Sequence, residues 1–273
     1  MNKLKVLAVL VNYGDEQLDY LQTVVSTLKS FVKYDVTIVV QSNLPLEIQG
    51  IDKVNVLELE DYQLLPLTCR KEIWDRRNDF DIFIYGENDH LFIEKHIDNH
   101  LRYESILPKN RIAGLIQFEE NSTGRYYPGY HHHFEWDFNS VETYNGLKFA
   151  HFRNVHQASF IVTKTQLESI GNAFSFSKLV KEKPLSLMDK ILNKIRAYFN
   201  KPLKRYNQYS VKCKVNTDVY EFAGLKKLIC ITEFEDNLIH HLPNIYIDGL
   251  KGRNKFRSDS DRMEKALKKL LKN

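Results

Sequence analysis

Only three cysteines occur in the 273 residues, Cys69, Cys213 and Cys230. They are too few and too scattered for a disulfide framework or a zinc site, and their odd number fits a reducing, cytoplasmic compartment. No run approaches the roughly 20 apolar residues of a membrane span, so nothing is expected to cross a bilayer. The basic start Met1-Asn-Lys-Leu-Lys5 leads into a short apolar run, Val6 to Val11, with no small-residue cleavage site after it; this reads as a first strand rather than a leader. A Gly-rich, basic loop of the kind that cradles phosphates is also missing after that strand, where the residues are Asn12-Tyr-Gly-Asp-Glu16. What is present suffices for a full core: 43% of the residues are apolar and 12% aromatic, which excludes disorder across most of the chain. The length suits one large domain or two closely joined halves.

Charge is unevenly spread. Lys178 to Lys214 hold 11 basic and 2 acidic residues and Lys251 to Lys272 hold 9 and 3, so with a total of +4 the rest of the chain carries −11. An acidic body with two late basic segments fits a catalytic body held near an anionic surface better than a uniformly basic nucleic-acid binder, and no nucleic-acid partner is expected.

The stretch Asp81-Ile-Phe-Ile-Tyr-Gly-Glu-Asn-Asp-His90 organises the rest. Asp81 to Tyr85 carry a β-branched and aromatic run that reads as a buried strand, and the polar cluster Glu87, Asn88, Asp89, His90 stands at its end. Glu87 and Asp89 are two positions apart, so an extended or tightly turned backbone points both to one side, where they can share a hard divalent cation of the kind that bridges to a diphosphate. Loops after strands are also acidic merely for solubility, so the pair gains its weight from context. Upstream, Lys3 to Val11 reads as a strand, the residues up to Lys33 as a helix with Asp15 as N-cap, and Asp35 to Gln41 as a second strand, together a βαβ unit. Strand ends line the ligand crevice of open α/β sheets, which makes Asn12, Tyr13, Gln41 and Ser42 candidates for holding a nucleoside; residues that simply begin loops are the alternative. Val54 to Glu60 and Arg111 to Phe118 read as further strands, Leu65 to Asn78 and Glu94 to Leu107 as helices.

With Glu87-Asn88-Asp89 after the apolar lead-in Ile82-Phe83-Ile84-Tyr85, the chain resembles the GT-A class of nucleotide-sugar glycosyltransferases, of the bacterial surface-glycan type, whose acidic D-x-D-type motif ends a central strand. Glu stands in the first acidic place, a departure that conserves charge. The resemblance covers residues 3–118 in element pattern and only short motifs beyond. It implies a GT-A-like, Rossmann-type open α/β sheet with helices on both faces plus a C-terminal acceptor-side region. The nucleotide-sugar-binding half would span residues 1–118 and the acceptor-binding half 119–250, including a basic amphipathic insertion at 178–214, with a basic tail over 251–273. The resemblance further implies that Asp89, Glu87 and a late histidine, His240 or His241, hold Mn²⁺ or Mg²⁺ on the diphosphate of a nucleoside diphosphate sugar, a UDP-sugar above all. Arg70 would approach that diphosphate, with Asn88 beside it on the donor side. Asp218 or Glu221 would deprotonate the acceptor hydroxyl if the reaction inverts. The segment Val215 to Gly224 also reads as a helix start capped by Thr217 or Asp218, so capping is the competing role of Asp218.

Asn121 to Asn139 packs aromatics and histidines into a loop with Gly and Pro, and the functional reading is a sugar-acceptor rim on which Tyr127, Tyr130 and Trp136 stack. The consecutive His131 to His133 alternate faces in a strand and cannot all reach one ion. Asn154 to Val162 reads as a strand, at whose entry His156 and Gln157 line the acceptor side; a core histidine satisfied by backbone is the alternative. Thr165-Gln-Leu-Glu168 reads as a capping box and Gly171 as a helix stop. Met188, Ile191, Leu192, Ile195, Tyr198 and Phe199 fall on one helical face with Lys190, Lys194 and Arg196 elsewhere around it. Such a helix lies on an anionic membrane surface, or packs on the core or on a second subunit. The leading expectation is a metal-dependent glycosyltransferase acting on a glycan or lipid-linked acceptor in surface polysaccharide synthesis, cytoplasmic and peripheral on the inner leaflet of the plasma membrane. One rival is a nucleotidyltransferase, against which the missing Gly-rich basic loop counts. The other is a non-enzymatic basic nucleic-acid or lipid-binding protein, recognised by salt-sensitive binding without turnover.

Overall fold

The computed structural model describes residues 3–128, 136–181, 185–198, 210–244, 247 and 257–273. The chain begins with β1 (Leu4–Asn12), α1 (Leu18–Lys29), β2 (Tyr34–Ser42), β3 (Lys53–Val56), α2 (Leu65–Asp75) and β4 (Ile82–Glu87). It continues through β5 (His90–Leu91), α3 (Glu94–Ile106), β6 (Arg111–Ala113), β7 (Ile116–Asn121), β8 (Gly124–Pro128), β9 (Glu142–Tyr144) and β10 (Leu147–Ala150). Among the described residues, the further strands and α-helices are β11 (Ser159–Thr163), α4 (Lys164–Ala173), α5 (Leu187–Tyr198), α6 (Val211–Glu221), β12 (Lys226–Cys230), β13 (Leu238–His241), β14 (Arg257–Asp259) and α7 (Ser260–Lys272).

Strands β3, β2, β1 and β4 lie side by side and parallel, and β11 closes this sheet antiparallel to β4. Along β1, Val6, Ala8 and Leu10 pack with Leu21, Val24 and Leu28 of α1 and Ile97 of α3, while Leu7, Val9 and Val11 pack with α2, α4 and α6 through Leu65, Ile73, Leu167 and Val215. The two-residue period of a strand thus buries both faces, as parallel strands require when helical crossovers cover each side. The fold is α/β with helices on both faces of its main sheet.

Two smaller sheets, in the orders β6-β12-β10-β9 and β14-β8-β7-β13-β5, join early and late chain. The chain beyond residue 118 is woven into the first half: β11 pairs with β4, β12 with β6, and β13 with both β5 and β7. Its basic C-terminal segment supplies α7, whose Met263 and Leu270 are buried with Tyr127, Trp136 and Phe152.

Several boundaries differ from the expectation. Gln17, not Asp15, precedes α1, and no side chain caps it. The strand expected over 54–60 is only β3, and the strand expected over 111–118 divides into β6 and β7, which enter different sheets. Similarly, 154–162 is strand only from Ser159. The capping box lies two residues early: Thr163 Oγ1 accepts from the Gln166 amide at 3.2 Å and Gln166 Oε1 accepts from the Thr163 amide at 3.0 Å. Helix α4 runs on past Gly171, where glycine answers a close approach instead of ending the helix, since a Cβ there would sit 2.1 Å from the Trp74 ring. Helix α6 starts behind Ser210, so Thr217 and Asp218 lie inside it and cap nothing.

One buried cation yields a stability prediction. Lys227 is 2% exposed, its Nζ lies 3.3 Å from the Val155 carbonyl and 5.1 Å from the centre of the Tyr220 ring, and burial pushes its ammonium down to about 7. The folded value lies below the unfolded one, so the charged form opposes folding. That cost is absent above the unfolded pKa, grows as pH falls toward 7, and is constant below. Lys227→Met is therefore expected to be more stable than the wild type at pH 7, by on the order of 3 kcal/mol. The gap should close as pH rises to 10; urea midpoints at pH 7 and pH 9.5 that differ by the same amount would sink the argument.

Candidate functional site

β1 leads to β2 on one side of the sheet and has β4 on the other, so the loops leaving β1 and β4 part at their C-terminal ends and open a crevice. A cleft of about 500 Å³ lies there, walled by Tyr13, Asp61, Tyr62, Glu87, Asn88, Asp89 and Lys212 among others. Asn12, buried at the end of β1, accepts from Asn88 Nδ2 at 2.7 Å and donates to the Gly14 carbonyl at 2.9 Å, which ties the two strand ends together. Gly86, inside β4, answers a close approach: a Cβ there would meet the Phe92 ring at 2.6 Å, so glycine allows Phe92 to pack against the strand next to the acidic residues. The rings of Tyr13 and Tyr62 stand 5.3 Å apart on the cleft wall, and Tyr13 is 64% exposed.

Glu87, Asp89 and His90 each offer a ligand atom, and these atoms lie within 4.8 Å of one another. Glu87 opens onto the cleft, whereas Asp89 and His90 are buried. His90 Nδ1 approaches Asp89 Oδ1 to 2.9 Å but off the hydrogen-bonding direction, so Asp89 Oδ1 and both ring nitrogens of His90 are buried without a hydrogen bond. Buried polar atoms of this kind are expensive unless something satisfies them. The donor set, two carboxylates and one imidazole, fits a divalent cation of the Mn²⁺ type better than Mg²⁺, which favours oxygen alone.

Behind the cluster, sheet register decides the histidines. β13 runs antiparallel to β5, with His241 opposite His90 and His240 opposite Leu91, and parallel to β7, with His240 opposite Phe118. Side chains alternate along a strand, so His241 turns toward Asp89 and Glu119 while His240 turns the other way and stacks on Phe118 at 4.7 Å. His241 Nε2 is 3.1 Å from Asp89 Oδ2 and its Nδ1 is 2.6 Å from Glu119 Oε1; Glu119 itself is fully buried. Burial disfavours the imidazolium, but Asp89 and Glu119 outweigh burial and raise His241 to about 9. Burial likewise works against the Asp89 carboxylate, and the His241 charge and hydrogen bond overcome it, holding Asp89 well below the usual carboxylate range. At Glu87 nothing comparable offsets burial, and the nearby Asp89 charge adds to it, so the carboxyl is pushed up. Asp89 is thereby a fixed anion, and His241 holds it from behind rather than facing the cleft.

Of the expected donor-side residues, Tyr13 and Asn88 line the cleft, and Asn12 supports Asn88 from below. Ser42 is fully buried within 3.4 Å of Asn12 Nδ2, and Gln41 is buried in β2 off the cleft wall. Arg70 is displaced from its expected place at a diphosphate. Its guanidinium is completely buried and donates to the carbonyls of Phe176, Lys178 and Val215 and to Asp218 Oδ2 at 3.2 Å. Asp218, expected as a base, is the other half of that internal ion pair, with Lys214 Nζ 3.3 Å from its second oxygen. Glu221 is half-buried in the last turn of α6 and does not line the cleft.

The expected acceptor rim is largely interior. Trp136 and Tyr127, each 3% exposed, pack with Phe152, Phe234 and Met263. Gln157 is buried between the Leu115 amide and the Tyr220 hydroxyl, and His156 contacts Asn216. Tyr130 lies outside the described residues. Sequence reasoning passed over His90, although it ends the acidic stretch, and Lys212, Tyr62 and Glu119. His90 had a signal in its place beside Asp89; the other three are brought in by remote elements. In comparisons with known proteins, no protein-family model and no curated protein matches the chain.

Proposed function

We propose that the protein is a metal-dependent glycosyltransferase of GT-A architecture, which moves a sugar from a nucleoside diphosphate sugar, with UDP-sugar the leading donor, to a glycan or lipid-linked acceptor in surface polysaccharide synthesis. The observation that carries the reading is the Glu87, Asp89 and His90 cluster where β4 ends at the floor of the cleft. Parallel β3-β2-β1-β4 with helices on both faces supports it as a nucleotide-binding half. Glu87, Asp89 and His90 would hold the cation, with His241 and Glu119 behind them as positioning residues. A bound divalent ion would supply charge stabilisation to the diphosphate as it leaves. The bond from the sugar's anomeric carbon to the diphosphate oxygen breaks with its electron pair on that oxygen, and the acceptor oxygen bonds to the carbon and gives up its proton. Tyr13 and Tyr62 offer faces for the nucleobase, and Lys212 on the cleft wall a cation for a phosphate oxygen. If the reaction inverts, the base belongs to a cleft carboxylate such as Glu16 or Asp61 and not to Asp218, which is enclosed with Arg70.

The test is a thermal-shift series with nucleoside diphosphates and Mn²⁺, separately and together. One nucleotide with Mn²⁺ is expected to raise the melting temperature by about 5 °C near saturation, far more than either alone. Tyr13→Ala is expected to weaken that nucleotide roughly 10-fold through lost stacking. A flat response to every nucleotide, with and without metal, would remove the reading.

A further inference from the structure

Helix α5 exposes its apolar side. At about 100° per residue, Leu187, Met188, Ile191, Leu192, Ile195 and Tyr198 fall within an arc of about 140°. All six are exposed, from 43% at Leu192 to 84% at Tyr198. The opposite side carries Asp189 and Asn193, of which Asn193 is buried and Asp189 half-buried. A helix that merely covered a core would show the reverse. Helix α7 provides the internal comparison: it is also basic and amphipathic, yet its Met263 and Leu270 are buried in the protein. Clustered exposed apolar side chains on this scale mark a docking surface.

Charge selects the occupant. Exposed Lys190 and Lys194 border one edge of the arc and Arg196 the other, within a segment that holds 11 basic and 2 acidic residues from Lys178 to Lys214. The partner is therefore apolar beneath and anionic at its rim. A second copy fits poorly, because it would bring another basic helix to a face whose rim calls for an anionic partner. Two-fold pairing would also bring the lysines of one helix near those of the other. We propose that α5 is a membrane-surface anchor, lying in the interface of an anionic bilayer with its apolar arc among the acyl chains and Lys190, Lys194 and Arg196 at the headgroups. The proposal does not depend on the reading of the cleft.

The full chain is expected to sediment with phosphatidylglycerol-containing vesicles and to stay in solution with neutral phosphatidylcholine vesicles. Ile191→Glu with Ile195→Glu should lower the partition at least ~10-fold, because two inserted side chains become charged. Its melting temperature should stay unchanged, since both positions already face solvent. Lys190→Glu with Lys194→Glu should lower binding as well, and added salt should weaken the wild type. Three results would each overturn the proposal. They are a wild type that ignores anionic vesicles, a lowered melting temperature in the isoleucine variant, which would mean the face packs on the body, or a dimer that this variant dissolves, which would mean a second copy covers it.

Discussion

Asp89→Asn is expected to abolish Mn²⁺-dependent nucleotide binding and to lower turnover by on the order of 10³-fold, roughly 4 kcal/mol of transition-state stabilisation. The substitution keeps the size of the side chain and an oxygen that accepts from His241 Nε2, now 3.1 Å away, but removes the charge. His241 retains Glu119 at 2.6 Å, so the local structure has a second support. The histidines sharpen the prediction. His241→Gln acts only through Asp89 and should cost 10- to 100-fold in metal affinity, in the usual range for a group that orients a ligand. His240→Gln should leave both metal affinity and turnover unchanged, because the ring stacks on Phe118 and points away from Asp89. Metal titration and turnover on the three variants decide the matter. Equal effects at His240 and His241, or an active Asp89→Asn, would show that the register-based assignment is wrong.

Arg70→Ala is expected to cost about 3–5 kcal/mol of folding stability, the range for breaking a buried ion pair by removing one partner. The guanidinium is 0% exposed and donates to three backbone carbonyls besides Asp218, and its removal leaves all four acceptors inside the protein. Among the described residues, Lys214 would remain as the charge partner of a fully buried Asp218. Asp218→Ala should be destabilising for the mirror-image reason. Arg70→Met with Asp218→Leu should lose less than the sum of the two, since no lone charge is left behind. Urea denaturation reads the difference. A phosphate-binding Arg70 would behave otherwise, with an unchanged unfolding midpoint and a raised KM for the donor, and that pattern would refute the internal clamp.

The contrast between Asp89 and Arg70 shows where sequence reasoning holds and where it stops. Asp89 follows an uninterrupted apolar run, and a strand that ends in polar residues within a parallel sheet delivers them to the crevice by local geometry. Arg70 sits on a helix that packs against that sheet, where one residue's shift around the helix separates a cleft wall from the interior. Helix periodicity did not warn of its burial, because the groups that satisfy it, the carbonyls of Phe176, Lys178 and Val215, come from more than 100 residues away. Tyr127 and Trp136 mislead in the same way. Aromatics in a Gly- and Pro-containing segment read as a rim, yet α7 returns from the far end of the chain and buries them.

What the sequence determined by itself is what short-range periodicity carries: β1, α1, β2 and β4, the acidic pair at the end of β4, and the amphipathic pattern of α5. The apolar and polar positions of these elements are specified within a dozen residues of one another. Only the tertiary structure decided which histidine meets Asp89, 152 residues away. It also placed Lys212 on the cleft wall, enclosed Arg70 with Asp218, and turned the apolar side of α5 outward where that of α7 turns inward. Each of these depends on the register and docking of elements remote in the chain. A one-residue change in either would send the same side chain to the opposite face, and no local pattern records which was taken.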